Sequence, residues 1–117
     1  MPTAGLEILA LCPCKQALAR LVPALAIRGH RIDLAVDLAT ARETFLARGG
    51  HQVLLVAQDV GPGLAIAVVE GLRAIAADLR VLAFGHESIG AQRVERLPSF
   101  HPSGRAGIVA VLYALRG

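Results

Sequence analysis

Cys12-Pro13-Cys14, two thiols separated by one proline, is the most unusual pair of reactive side chains in the sequence. Two thiolates at that spacing can chelate a soft metal or form a redox couple, and a helix N-terminus with Lys15 beside it would favour the thiolate. A tetrahedral zinc site needs two further ligands, but His30, His51, His86 and His101 follow no metal-ligand spacing. A disulfide between the two cysteines would be badly strained. Asp59 is the other chemical candidate, a carboxylate just ahead of Gly61-Pro62-Gly63. That glycine-proline loop lacks the lysine and hydroxyl of a phosphate loop, so it marks a turn. Asp59 with His86 or His101 is the one acid–base pairing on offer, and no nucleophile elbow or triad spacing accompanies it.

The chain has 117 residues, enough for one domain over 1–117. Hydrophobic residues make up 55 % and charged residues 18 %, which calls for a packed core rather than a disordered tail. Aromatics at 3 % argue against a base-stacking platform, and a net charge of +3 spread along the chain supplies no basic run; no nucleic-acid partner is expected. The longest apolar run, residues 107–115, falls short of the about 20 residues that cross a bilayer. No signal-peptide pattern opens the chain, and with reduced thiols a cytoplasmic location without membrane contact is the expectation.

The hydrophobic pattern alternates short strand-like runs with longer helical stripes, as in a parallel sheet covered by helices. Residues 7–11 form the first strand. Leu18, Leu21, Val22 and Leu25 make one stripe of a helix over 15–28 that Pro23 should kink. Ile32, Leu34 and Val36 alternate with Asp33, Ala35 and Asp37 in a second strand of edge character. A helix over 40–48 turns Ala41, Phe45 and Leu46 inward and stops at Gly49-Gly50. Residues 53–57 form a strand buried on both faces, and helix three spans 64–77 on Leu64, Val68, Leu72 and Ile75. The fourth strand is 80–84, followed by a short helix over 89–95, a fifth strand over 96–100, and Ser103-Gly104 as a cap before a last helix that ends at Arg116. Right-handed crossovers then predict an α/β, flavodoxin-like three-layer sandwich, its five-stranded parallel sheet in the order 2-1-3-4-5. Ligands gather at the carboxyl ends of such strands, here residues 12–15, 58–63, 84–88 and 100–103.

The repeat order, the long apolar third strand followed by Asp59 and Pro62-Gly63, and the proline of His101-Pro102 resemble a response-regulator receiver domain of the CheY-like family over nearly the whole chain. The resemblance implies phosphoryl transfer to an Asp at the end of strand three. It further implies Mg²⁺ held by an acidic pair after strand one, a hydroxyl after strand four and a lysine before a proline after strand five. Cys12-Pro13 stands where the acidic pair belongs. Ala57 or Gln58 takes the phosphoacceptor position, with Asp59 one or two residues late, and Phe84 or Gly85 takes the hydroxyl position. His101-Pro102 replaces Lys-Pro, while Lys15, the sole lysine, sits in another loop. A short, mostly neutral histidine does not replace that cation. The fourth helix is compressed.

The expectation is a degenerate pseudo-receiver in two-component signalling: not an enzyme, with no cofactor, acting by protein–protein contact without phosphorylation. Ile108, Val109, Leu112 and Tyr113 of the last helix are the candidate interaction face for a protein partner or a second copy. Two alternatives carry residues of their own. One is a phosphorelay receiver phosphorylated on Asp59 with an unconventional Mg²⁺ site; the other is a thiol or metal sensor at Cys12 and Cys14.

Overall fold

Short runs of Val, Ile and Leu bury both faces only when paired in a covered sheet. In the computed structural model, which describes residues 5–13, 15–85, 93–98 and 104–116, they form β1 (Glu7–Leu11), β2 (Arg31–Ala35), β3 (Val53–Val56), β4 (Arg80–Phe84) and β5 (Val94–Leu97). These strands make one parallel sheet in the expected order, β2-β1-β3-β4-β5. Leu11 lies opposite Ala35 on one side and Val56 on the other, and Val56 lies opposite Ala83. Helices α1 (Leu21–Ile27), α2 (Leu38–Ala47), α3 (Pro62–Arg73) and α4 (Arg105–Arg116) cover the sheet. The first packs on α4 and the second on α3, which with right-handed crossovers places one pair on each face.

The central strands carry the core: Leu9, Leu11, Leu54, Val56, Val81 and Leu82 are wholly buried. Each such side chain contributes about 1.5–3 kcal/mol on leaving water. The sheet edges are wetter. In β2 only Ala35 is fully buried, and in β5 Glu95 and Arg96 are exposed. Gly5 is needed where it is, since a Cβ there would lie 1.6 Å from the carbonyl oxygen of Gly29, the residue that turns the chain from α1 into β2 at φ 83°.

The first helical segment departs from expectation. A single 3-10 turn (Lys15–Leu18) is followed by α1, so the break falls at Ala19-Arg20 and not at Pro23. Pro23 is the third residue of α1, inside the first turn, where a missing N–H costs no helical bond. Val22 of the expected inward stripe is exposed.

Helix α2 starts two residues before the expected position because Asp37 caps it. Its carboxylate accepts from the Thr40 N–H at 2.8 Å, while the Thr40 hydroxyl oxygen accepts from the Asp37 N–H at 3.2 Å, a reciprocal capping box. Ala41 and Phe45 point inward, but Leu46 is 62 % exposed. Gly61 caps α3 and Pro62 is its first residue, a place where the fixed φ of proline suits a helix. This helix therefore begins and ends earlier than expected, leaving Ile75 beyond it and exposed.

The fifth strand begins two residues and ends three residues ahead of 96–100. Arg93, at φ 62°, turns the chain into it, and Pro98, with no N–H for a ladder, follows its end. Val94 and Glu95 are thus strand, not the end of a helix. The remainder of the expected fourth helix, together with its compression, lies outside the described residues, as does Ser103.

Candidate functional site

The carboxyl ends of the central strands form the rim where a sheet of this order binds ligands. Cys12 and Ala57 lie one step beyond the paired Leu11 and Val56, and Phe84 ends β4 opposite Leu97. Backbone bonds tie this rim together: Cys12 N–H to Ala35 O at 3.0 Å, Ala57 N–H to Leu11 O at 3.0 Å and Gly85 N–H to Leu97 O at 2.9 Å. Cys12, Ala57, Val60 and Phe84 are buried, so the floor is apolar and closed. Gly85 leaves β4 in the left-handed region at φ 65°.

Above that floor Pro13 and Asp59 are exposed and Gln58 is half-buried. Cys14, His86, His101 and Pro102 lie outside the described residues. Among the described residues the carboxylates at this end of the sheet are Asp37 and Asp59. The first is committed to capping α2: bonds from the Thr40 N–H, then from its hydroxyl, hold its carboxyl below the usual range against a small desolvation effect. Mg²⁺ demands several converging hard oxygen ligands. A floor of Cys12, Ala57 and Phe84 supplies none, so the described residues do not fit that ion, and no group of three or more His, Cys, Asp or Glu that could hold a metal occurs among them.

The structure also corrects which residue ends strand five. Since β5 stops at Leu97 and Pro98 follows directly, the X-Pro step at its carboxyl end is Leu97-Pro98, and His101-Pro102 comes later. Leu97 is half-buried and apolar. The proline inside residues 96–100 was the signal that could have set this boundary.

Two polar networks escaped the sequence reading, and both lie away from this rim. Asp33 of β2 receives His51 Nε2 at 2.9 Å and Arg48 Nε and Nη2 at 3.1 and 3.2 Å. Burial pushes the Asp33 carboxyl up, yet the bonds and charges of His51 and Arg48 outweigh it and hold the group below its usual range. His51 is 5 % exposed, its ring centroid 5.6 Å from that of Phe45, and its Nδ1 is buried with no hydrogen-bond partner among the described residues. At the start of β4, Arg80 donates to the Glu95 carboxylate of β5 and to the Ala114 carbonyl of α4. The bond from Arg80 holds the Glu95 carboxyl below the usual range, against the opposing effect of burial. The signals were a lone Asp in an edge strand and an Arg opening a buried one. Both networks are clamps between elements.

The expected interaction face is split by depth. Ile108 and Leu112 are half-buried against the core, whereas Val109 is 59 % and Tyr113 73 % exposed. Among the described residues no helix is long and apolar enough to cross a membrane.

No family model and no curated protein matches the sequence. Solved structures do match the fold. The chemotaxis response regulator CheY4 of Vibrio cholerae aligns with a TM-score of 0.68 at 16 % identity, over 97 % of this chain and 99 % of that one. A second structure of CheY4, crystallized at low pH, aligns at 0.65 and 16 % identity, over 97 % and 98 % of the two chains. The solution structure of a response regulator protein from Burkholderia multivorans aligns at 0.52 and 22 % identity, over 94 % and 93 %. With five parallel strands in the order 2-1-3-4-5 between helical layers, the chain has the CheY-like, flavodoxin-like fold of response-regulator receivers.

Proposed function

We propose that residues 1–117 act as one receiver-like signalling domain that works by protein–protein contact without phosphorylation. The observation that carries this reading is the rim itself. Where the resemblance to receivers calls for an acidic pair, an Asp, a hydroxyl and a lysine, this chain has Cys12-Pro13, Ala57-Gln58, Phe84-Gly85 and Leu97, with Cys12, Ala57 and Phe84 buried. Phosphoryl transfer needs charge placed around the moving group, and apolar side chains do not supply it. A receiver switches because an acyl phosphate biases two conformations; with no site to form one, sequence alone sets the population. Such a domain is a constitutive docking unit, not an enzyme, and needs no Mg²⁺ to act. Its setting is the cytoplasm.

Asp59 is exposed in the turn after β3, which keeps one alternative concrete: a receiver phosphorylated there. The thiol-sensor reading is weakened by the complete burial of Cys12. Amide NMR spectra recorded with Mg²⁺ before and after addition of beryllofluoride, a phosphoryl mimic, separate these readings. No shift beyond the Mg²⁺ control is expected; shifts spreading from residues 57–60 into β5 and α4 would establish a working switch.

A further inference from the structure

A surface helix on a soluble domain ordinarily turns charged and polar side chains outward. Helix α4 does not. Gly107 and Val111 face the core, and the outward stripe is Arg105, Val109, Tyr113 and Arg116 at i, i+4, i+8 and i+11, with half-buried Leu112 beside it. At 1.5 Å per residue the two arginines stand about 16 Å apart, with an apolar strip between them. Across from this strip is the end of α1. Arg28, Val109, Leu112, Tyr113 and Arg116 together line a groove of about 240 Å³, and Ile27, next to Arg28, is 84 % exposed.

The charges that line this groove have one sign; Glu95, in the adjoining pocket beside Tyr113 and Arg116, is held by Arg80. No acidic residue occurs between Ile8 and Ile32 or from Arg96 to the end of the chain, so neither α1 nor α4 carries one. Among the described residues Arg28, Arg105 and Arg116 are in no ion pair. A second copy docking through a two-fold axis would set these arginines against their own counterparts, which disfavours self-association here. An anionic membrane prefers a protruding apolar wedge to a groove between helices, and a phosphate backbone has no use for the apolar strip.

We propose that the α1–α4 groove docks an acidic amphipathic segment of a partner protein, a helix of about three turns whose apolar side chains enter between Val109 and Tyr113. Its Asp or Glu residues meet Arg28 and Arg116 at the rim, with Arg105 one turn before Val109, and there charge sets orientation and partner choice more than affinity. The proposal rests on reading the domain as a docking unit and names the chemistry of its partner.

A displayed library of amphipathic helices of about 18 residues, with an aliphatic stripe and randomised flanks, tests this against the untreated full chain. Enriched peptides should carry Asp or Glu beside the stripe. Their affinity should fall at least about tenfold in the double variant Arg28→Glu, Arg116→Glu and recover when the peptide acids are changed to Lys. Val109→Ser, which keeps every charge, should also weaken binding. Enrichment of neutral or basic peptides, no enrichment, or affinity unchanged in the double variant overturns the proposal. So does finding that these variants instead abolish binding to phosphatidylglycerol vesicles or to duplex DNA, or abolish dimers seen by ultracentrifugation. A phosphoryl group found on Asp59 would end the phosphorylation-independent reading while leaving this result in place.

Discussion

His51 Nε2 lies 2.9 Å from a carboxylate oxygen of Asp33, joining the segment before β3 to β2, two strands that do not pair because β1 runs between them. Arg48, just beyond α2, holds the same carboxylate, so one aspartate fastens the α2–β3 connection to the sheet edge. The arrangement is unevenly satisfied, since His51 Nδ1 is buried without a partner among the described residues.

Removing Asp33 leaves a buried imidazole with nothing to bond. Asp33→Ala should cost about 1–3 kcal/mol, the penalty of an orphaned buried polar group. His51→Leu should cost less, because it also removes the unpartnered Nδ1. The double variant should lose clearly less than the sum, a coupling that urea titration of all four proteins measures. Strict additivity would show that the contact does not fasten the fold.

Acid should loosen the domain through three carboxyls. Asp33, Asp37 and Glu95 all sit below their usual ranges through bonds from His51 and Arg48, Thr40 and Arg80. A carboxyl depressed in the native state adds stability that is fully present above its unfolded pKa, about 3.9 for Asp and 4.3 for Glu. That stability is lost as pH falls through the native value. Urea midpoints should therefore hold from these groups at neutrality and drop below about pH 4. Asp33→Asn should flatten part of the drop, and an unchanged slope would contradict the assignment.

Arg80 links β4, β5 and α4 through Glu95 and the Ala114 carbonyl. Its ion pair is partly exposed and contributes at most about 1 kcal/mol, so the sharper readout is local. Arg80→Ala should raise hydrogen-exchange rates in the last turn of α4 more than in β1 or β3. Uniform acceleration would point to a global effect instead.

The sheet order and the buried central strands were legible because periodicity and apolar runs report directly on strands covered on both faces. Boundaries failed where a local bond outranked periodicity. Asp37 and Thr40 drew α2 forward, Pro62 opened α3, and Pro98 placed the end of β5 ahead of expectation. The rim positions at Cys12, Ala57 and Phe84 were legible once the strands were placed. The Asp33–His51–Arg48 network was not, because it joins three separate segments, and spacing along the chain says nothing about which side chains meet across β1.

Intact-mass spectrometry after incubation with acetyl phosphate and Mg²⁺ tests the central claim most directly. The account predicts a spectrum identical to that of the untreated protein. Appearance of one added phosphoryl group, abolished in Asp59→Asn, would contradict it.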